Sequence, residues 1–433
     1  MILPVCSYAE YKKNHPLISW SDYREEREQV QKIIEDVCQN GDTALIKYAR
    51  EFDRAELTNL QVPAEDLAAA ARSVEPHLLK AIRGAKENIE RFHRRQLEAD
   101  WWESGPGRVA GQRFIPLQSV GAYIPGGTAA YPSSVLMTVV PAQVAGVKEI
   151  YICTPPGSDG LVNPLTLAAA YEVGAKAVYK AGGAQAVAAM AYGTETIPAV
   201  QKIVGPGNIY VTLAKKEVFG QVGIDMLAGP SEIVIVADNG ARPAFIAADL
   251  LSQAEHDPLS RSILITTSEE LACSVVEHIE EQLATLPRKK IAEQSLKKQG
   301  AVILVSSLDD AWPIVNELAP EHLELHLEGA WRYIDTVENA GAVFIGSYTP
   351  EPLGDYWAGS NHVLPTATAA RYTSALGVAD FIKRSHVLCY SSDALDQAAP
   401  EIVALARAEG LEAHARAVLI RRQTNEPSGK SRT

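Results

Sequence analysis

Short runs of β-branched and aliphatic residues alternate with alanine- and leucine-rich stretches through most of the chain beyond Lys148. These runs are too uniformly apolar to leave one strand face in water, which is typical of parallel sheets covered by helices on both faces. The pattern predicts an α/β fold with two doubly wound halves. The predicted strands are EIYICT, AKAVYK, VQKIVG, SEIVIVAD, SRSILITT, AVILV and GAVFIG.

Helical segments are predicted before and after this region. Residues 21–96 interleave acidic and basic residues among leucines and alanines, as surface helices do. Glycine and proline cluster at 225–230, where we expect one strand–helix series to end and the other to begin. The residues that follow Tyr390 are expected to form a helical appendage.

Charge and cysteine usage restrict the class of protein. The chain carries 53 acidic and 40 basic residues, a net charge of −13 that disfavours nucleic acids and anionic membranes as partners. The five cysteines form no C-x-x-C pair, which argues against a disulfide framework. The first residues lack a signal-peptide core, and the apolar region 135–147 is interrupted by Pro141 and too short to span a bilayer. We therefore expect a soluble, cytoplasmic protein.

The segment 250–258 (LLSQAEHDP) ends an apolar stretch and contains side chains that can bind a metal ion. Gln253 and His256 are three residues apart, so both would lie on one face of a helix. With Asp355 and His414 they form a nitrogen and oxygen donor set that fits a catalytic zinc ion with positions open for substrate. The alternative for each histidine alone is a helix cap or a buried core residue.

Glu321 and His322 are adjacent at the end of the predicted helix DDAWPIVNELA, where a loop could direct both side chains into a cleft. Histidine titrates near neutral pH and can accept an alcohol proton, and a carboxylate beside it can activate water. The alternative is that the two residues begin the amphipathic strand HLELHLEG as a solvated pair.

Two glycine-rich turns, GAYIPGG at 121–127 and GPGN at 205–208, could bring the backbone close to a phosphate or nucleotide. The second turn directly follows a predicted strand and precedes a predicted helix. The dinucleotide fingerprint G-x-G-x-x-G does not occur in such a setting, so ordinary turn-forming glycine remains the alternative.

Eight motifs occur in order through nearly the whole chain: GAYIPGG, GGAQAVAA, VGPGN, AGPSE, LLSQAEHD, APEHLEL, GDYWAGSNHVLPT and EGLEAHA. In these motifs the sequence closely resembles the histidinol dehydrogenases. The resemblance implies two incomplete Rossmann-like doubly wound domains with parallel sheets and small helical appendages at both ends. It also implies a zinc- and NAD-dependent, four-electron oxidation of L-histidinol through histidinaldehyde to L-histidine, using two NAD in succession. Members of the family are homodimers whose C-terminal segment reaches into the neighbouring subunit.

The resemblance implies the following domain boundaries. An N-terminal extension covers 1–20, and a first Rossmann-like domain, with most metal and catalytic residues, covers 21–119 and 231–375. A second, NAD-binding Rossmann-like domain covers 120–230. The C-terminal helical segment that would reach into the partner subunit covers 376–433.

The functional positions of the family match residues of this sequence one by one. One zinc ion per subunit would be held by Gln253, His256, Asp355 and His414. His322 would act as general base, and Glu321 would activate water. The substrate contacts would be Ser231, Gln253, His256, His322, Asp355, His362, Glu409 and His414. The NAD contacts would be Tyr123, Gln185 and Asn208. Glu409 and His414 would complete the site of the partner subunit.

Two departures from the family pattern lie near the proposed substrate loop. Leu227 stands where the family has proline, and Ala367–Thr368 replace a glycine pair. Neither touches a proposed ligand, so the reaction class is unchanged. The alternatives are a related zinc and NAD dehydrogenase of another small polyol such as a sulfonated propanediol, a zinc hydrolase with Glu321 as base, and a non-catalytic binding protein.

Overall fold

The apolar runs predicted as strands form two separate parallel sheets in the computed structural model, which describes residues 2–15, 20–126 and 130–423. Both sheets lie in the larger of two structural units, Met1–Gln96 with Leu117–Phe381. The smaller unit comprises Leu97–Pro116 and Ile382–Thr433. The predicted α/β fold with two Rossmann-like parallel sheets is confirmed.

The bounds of the strands and helices follow in chain order. The strands are β1 (Val5–Cys6), β2 (Trp101–Gly105), β3 (Arg108–Pro116), β4 (Ser119–Tyr123), β5 (Glu149–Thr154), β6 (Ala177–Lys180), β7 (Lys202–Val204), β8 (Gly223–Ile224), β9 (Glu232–Ala237), β10 (Arg261–Thr266), β11 (Ala301–Leu304), β12 (His322–His326), β13 (Ala342–Ile345) and β14 (Ile382–Tyr390). The helices are α1 (Tyr8–Asn14), α2 (Arg24–Tyr48), α3 (Ala64–Ser73), α4 (Pro76–His93), α5 (Pro132–Ala145), α6 (Pro164–Val173), α7 (Gly183–Tyr192), α8 (Ile209–Val218), α9 (Pro243–Ala254), α10 (Glu269–Leu283), α11 (Lys289–Gln299), α12 (Ala311–Leu318), α13 (Glu351–Leu353), α14 (Ser392–Ala408) and α15 (Glu412–Gln423). Within the described ranges, no helix has the length and hydropathy needed to cross a bilayer.

Both parallel sheets have the strand order of an incomplete Rossmann fold. The six-stranded sheet runs β1-β11-β10-β9-β12-β13, and the five-stranded sheet runs β6-β5-β4-β7-β8. Numbered along the chain, each gives 3-2-1-4-5, with β1 added at one edge of the larger sheet. The order therefore reverses between β9 and β12 and between β4 and β7. In open α/β sheets, ligands typically bind beyond the carboxyl ends of the strands at such a reversal. The larger sheet differs, because Ser231, Glu321 and His322 stand at the amino ends of β9 and β12.

The N-terminal helix α2 packs against the five-stranded sheet. Val30, Val37 and Leu45 share one core with Tyr151 and Met190 of that sheet and its helices. This packing differs from the expected first domain, in which residues 21–119 belong with the sheet of residues 231–375. The apolar stripe on α2 follows helical spacing, but that spacing carries no information about which sheet the stripe covers.

The smaller unit contains an antiparallel sheet that the sequence analysis did not predict. The order is β14-β3-β2, with Ile382 opposite Pro116 and Tyr390 opposite Arg108. The helical appendage predicted beyond Tyr390 is present as α14 and α15. However, the segment 376–433 is not wholly helical, because it begins with a strand. Most residues of β14 are exposed, so no apolar run revealed it.

Candidate functional site

Glu321 and His322 lie at the amino end of β12, which pairs with β9 and with the edge strand β13 in the six-stranded sheet. Helix α12 ends at Leu318, and Ala319, in the left-handed region with φ 46°, turns the chain toward the strand. Glu321 is 7% exposed and His322 is 3% exposed. The alternative of a solvated pair is therefore wrong, because parallel strand β12 is covered on both faces.

The backbone N–H and carbonyl group of one residue, Glu232, orient both side chains. The backbone N–H of Glu232 donates to Oε2 of Glu321 at 2.9 Å, and Nδ1 of His322 lies 3.0 Å from the carbonyl oxygen of Glu232. A carbonyl oxygen can only accept, so Nδ1 is the donor and the lone pair of the neutral ring resides on Nε2. Nε2 of His322 is buried without a hydrogen-bond partner among the described residues, 3.9 Å from Oδ1 of Asp355.

Carboxyl groups crowd around this imidazole. Burial raises the pKa of Glu321 to about 8. For His322, burial opposes the charged form, but the carboxylates of Glu321 and Asp355 outweigh it and raise the pKa to about 10. For Asp355, burial is likewise outweighed, by His322 and His362, and the pKa falls to about 2. The site is thus one in which positive charge is stabilised.

The predicted metal residues Gln253 and His256 lie at the end of α9. The helix ends at Ala254, so Gln253 is helical and His256 is not. His256 lies in the turn that follows, and its backbone N–H donates to the carbonyl oxygen of Gln253 at 3.3 Å. Oε1 of Gln253 is buried and has no hydrogen-bond partner in the described part of the chain. His256 is exposed as a residue, yet desolvation lowers the pKa of its ring, with smaller and opposing effects from Asp355 and His322.

Glu351 is a site residue that the sequence analysis missed. One ligand atom each from His322, Glu351 and Asp355 fall within 4.8 Å of one another. Burial and the adjacent Asp355 carboxylate raise the pKa of Glu351 to about 9. Glu351 precedes Asp355 by four residues, a spacing that puts two side chains on one face of a helical turn and would have indicated the pair.

Asp249, Glu324 and His326 form a second buried cluster, which sequence reasoning also missed. Nε2 of His326 is 3.0 Å from Oε2 of Glu324 and 3.6 Å from Oδ2 of Asp249. The other oxygen of Glu324 accepts the backbone N–H of Glu351 at 2.7 Å. Glu324 and His326 alternate with leucines on β12, so they share the face of His322. The cluster thereby connects β12 to the segment that carries Asp355.

Two of the predicted substrate residues of the larger unit, Ser231 and His362, lie in loops. Nδ1 of His362 is 3.8 Å from Oδ2 of Asp355, and its Nε2 is 3.4 Å from Oγ of Ser134. Ser231 immediately precedes β9, and Leu227 lies in the connection between β8 and β9. The structure therefore brings His362 to the Glu321, His322 and Asp355 group.

Two residues that depart from the family pattern adopt an unusual backbone conformation. Ala367 has φ 52° and Thr368 has φ 65°, both in the left-handed region that favours glycine. This explains why a glycine pair suits the loop. The loop is close to the site, because the Ala367 backbone is among the groups that stabilise the charged form of Glu232.

Glu409 and His414 belong to the smaller unit. Glu409 follows α14 as its C-cap residue, Gly410 turns the chain with φ 75°, and His414 lies in the first turn of α15. Both side chains are exposed. They therefore remain available to a neighbouring molecule.

A cavity of about 400 Å³ lies at the carboxyl ends of the strands of the five-stranded sheet. Tyr123, Gln185 and Asn208, the three predicted NAD residues, all line it. The hydroxyl of Tyr123 accepts the N–H of Gly183 at 3.1 Å. Gly127, the last residue of the first glycine-rich turn, lies outside the described residues. The volume is in the range of pockets that enclose small molecules.

A buried ion pair holds the second glycine-rich turn. The N–H of Gly205 donates to Oδ2 of Asp225 at 2.7 Å, and Nζ of Lys215, which pairs with the same carboxylate, donates to the Gly205 carbonyl at 3.0 Å. Gly205 has φ 115°, and a Cβ there would lie 2.2 Å from the Tyr123 carbonyl oxygen. Glycine is therefore required, and the turn leading to Asn208 has a fixed geometry.

The comparisons with known proteins agree with one another. A family model described as histidinol dehydrogenase matches residues 19–422. Histidinol dehydrogenase of Listeria monocytogenes serotype 4b (strain F2365) is 54% identical over 394 residues, covering 91% of this chain and 92% of the relative. That of Moorella thermoacetica is 52% identical over 429 residues, covering 98% and 100%. The crystal structure of histidinol dehydrogenase from Elizabethkingia anophelis matches with TM-score 0.92 and 40% identity, covering 98% of each chain.

Proposed function

The chain belongs to the histidinol dehydrogenase family, and from this premise we propose that it oxidises L-histidinol through L-histidinaldehyde to L-histidine. These are the last two steps of histidine biosynthesis. The observation that carries the proposal is the buried Glu321–His322 pair, which the backbone of Glu232 orients beside Asp355. Identity over nearly the whole chain favours this activity over a related polyol dehydrogenase or a zinc hydrolase.

Gln253, His256 and Asp355, with His414 of the C-terminal segment, fit a zinc ion. Their donors are oxygen and nitrogen, as in catalytic zinc sites, and the unpartnered buried oxygen of Gln253 is a group for which a cation would supply the missing partner. When bound, the zinc ion would hold the amine and imidazole nitrogens of histidinol and so orient the carbinol carbon.

His322 is the general base of the first oxidation. Its Nδ1 is committed to the Glu232 carbonyl, so Nε2 accepts the hydroxyl proton while a hydride leaves the carbinol carbon. The carboxylates of Glu321 and Asp355 raise the pKa of His322. A cation held at Asp355 would offset part of their negative charge and so lower the pKa of His322, which favours the neutral ring that a general base needs.

Glu321 acts in the second oxidation. Oε2 of Glu321 is occupied by the Glu232 N–H, so the other oxygen is the one that accepts a proton from water as water adds to the aldehyde. A carboxyl group whose pKa is raised to about 8 exchanges protons readily near neutral pH. Loss of a second hydride from the hydrated aldehyde then gives the carboxylate of histidine.

NAD supplies the hydride acceptor in each oxidation, and the cavity around Tyr123, Gln185 and Asn208 is its proposed site. Support comes from the location of the cavity beyond the carboxyl ends of β4 and β7, where the strand order reverses. Asn208 also caps α8, accepting the Val211 N–H at 3.2 Å, so the cavity borders a helix amino terminus, which favours negative charge such as a pyrophosphate.

Two subunits are proposed to share each site, with Glu409 and His414 of one completing the site of the other. The exposed position of both residues supports this arrangement. We infer that the enzyme acts in the cytoplasm, since its five cysteines are unpaired thiols and reducing compartments keep thiols reduced.

A mixing experiment tests the shared site. His256→Asn and His414→Asn are each expected to lose zinc and activity. In a mixed dimer, one of the two sites keeps both native histidines, so statistical mixing should restore about a quarter of wild-type activity. Mixing two batches of His256→Asn is the control. No recovery after confirmed subunit exchange would indicate that each site is built from a single chain.

The activity itself is tested by offering the purified protein L-histidinol or a sulfonated propanediol with NAD, before and after chelation. The proposal expects NADH only from L-histidinol, lost on chelation and regained with zinc. Activity with the propanediol alone would instead support the related polyol dehydrogenase.

A further inference from the structure

Asp53 has a carboxylate that nothing in the described site explains. It lines the same cavity as Tyr123, Gln185 and Asn208. Its Oδ2 is buried and has no hydrogen-bond partner within the described residues. Buried polar atoms without partners are rare in folded proteins, because the cost of removing them from water is not offset. A donor supplied by a ligand would offset it.

The backbone around Asp53 is also unusual. Asp53 ends a π-helical turn, Ala49–Asp53, and Arg54 after it adopts the left-handed conformation with φ 58°. Single π-turns and left-handed residues other than glycine concentrate at ligand sites. This local geometry places Asp53 beside Phe52, which is 51% exposed and lines the cavity together with Ile33. An acidic group and an apolar surface therefore adjoin each other in the cavity wall.

The strand order identifies where a Rossmann fold normally carries its ribose-binding acid. In a Rossmann fold, an acidic residue near the carboxyl end of the second strand accepts hydrogen bonds from the ribose hydroxyls of NAD. The second strand in the five-stranded sheet is β5, and it is followed by Pro155-Pro156-Gly157 without a carboxylate. The first acid in that loop, Asp159, uses Oδ1 to accept the Leu161 N–H at 3.0 Å. The usual ribose acid is therefore missing from its usual element.

We propose that Asp53 determines cofactor specificity: its carboxylate accepts hydrogen bonds from the 2′- and 3′-hydroxyls of the adenosine ribose, with the adenine against Phe52 and Ile33. This rests on the proposed function, since it takes NAD as the cofactor. The 2′-phosphate of NADP would bring like charges together in a partly desolvated site, so the same residue disfavours NADP.

Four variants test the proposal. Asp53→Asn removes the negative charge of the proposed acceptor, and Asp53→Ala removes the acceptor itself. Glu51→Gln is the matched control, because Glu51 lies in the same π-turn, is exposed and does not line the cavity. Asp159→Asn tests the competing acid of the β5 loop. Circular dichroism and thermal unfolding establish that each variant is folded before binding is measured.

Calorimetric dissociation constants are then compared for NAD, NADP, AMP and 2′,3′-dideoxy-AMP in the absence of histidinol. Loss of a charged hydrogen-bond acceptor should weaken NAD binding by about 10- to 100-fold. The preferences for NAD over NADP and for AMP over its dideoxy form should shrink together. Glu51→Gln and Asp159→Asn should bind as the wild type does.

Different failures have different meanings. Wild-type protein that binds neither NAD nor AMP would overturn the proposed function and this proposal together. Wild-type binding of NAD that is unchanged in both Asp53 variants, or a loss of discrimination in Asp159→Asn instead, would overturn the role of Asp53 alone and leave the proposed function intact.

Discussion

His322 and Glu232 are joined by a 3.0 Å hydrogen bond from the ring Nδ1 to a backbone carbonyl oxygen. The two residues lie at the starts of neighbouring parallel strands, with His322 opposite Ile233 in the register. Because backbone groups of a central sheet have little freedom to move, the bond fixes both the ring orientation and the tautomer. The residue proposed as general base is thus positioned by the sheet itself.

Glu321→Gln should separate the two oxidations. The amide oxygen can still accept the Glu232 N–H, so the geometry of the pair is retained while the proton acceptor for water is lost. Oxidation of supplied histidinaldehyde should slow by about 10²- to 10³-fold and oxidation of the alcohol much less. Single-turnover NADH formation from each substrate measures both steps, and equal slowing would contradict the division of roles.

Glu324→Leu should weaken zinc binding even though Glu324 is not a proposed ligand. Its carboxylate holds the Glu351 N–H, at the start of the segment that carries Asp355. Residues that position metal ligands typically change affinity by about 10- to 100-fold when replaced. Competition with a chromogenic chelator gives the zinc affinity. Glu324→Gln keeps an acceptor and should stay near wild type; similar affinity in both variants would remove Glu324 from this role.

Thr368→Gly should stabilise the protein. A left-handed backbone costs a residue with a Cβ about 1–2 kcal/mol, whereas glycine adds about 0.5–1 kcal/mol of unfolded-state entropy, so the net gain is between about 0 and 1.5 kcal/mol. Urea unfolding measures the change. Ala369→Gly is the control, because Ala369 begins a 3₁₀ turn without positive φ and should lose stability. A loss of stability in Thr368→Gly would show that the loop is not strained at this residue.

Asp53→Asn should raise the thermal stability of the cofactor-free protein at pH 7.5 and not at pH 4. Burial raises the pKa of this carboxyl from 3.8 to about 6. A raised pKa means that ionisation is less favourable in the folded state, so wild-type stability is lost as pH rises from about 4 to 6. The variant avoids this loss. If the melting temperatures of variant and wild type differ by the same amount at both pH values, the raised pKa of Asp53 is contradicted. The control Glu51→Gln should have the melting temperature of the wild type at both pH values.

The parallel sheets were predictable because their strands are buried on both faces and leave a continuous apolar run. EIYICT coincides with β5 residue for residue, and SEIVIVAD contains all of β9. Strand β14 has no such run, since it is mostly exposed and is held by backbone pairing with β3. The packing of α2 on the five-stranded sheet is a tertiary fact that periodicity cannot supply.

Site residues could be predicted from the sequence only where the family assigns a role to a residue of a matching motif. Glu351 and Glu324 owe their importance to burial and to distances between segments remote in sequence, such as the 2.7 Å contact that joins them. Asp53 precedes every motif that carried the resemblance, and its chemistry depends on an unpartnered atom in a cavity formed by other elements. Such relationships appear only when the chain is folded.

The most direct test of the central claim is the number of NADH molecules formed per molecule of L-histidinol when histidinol is limiting and NAD is in excess. We predict two equivalents, with L-histidine as the product, abolished by chelation and restored by zinc. One equivalent with histidinaldehyde as the end product, or none, would contradict a four-electron oxidation at this site.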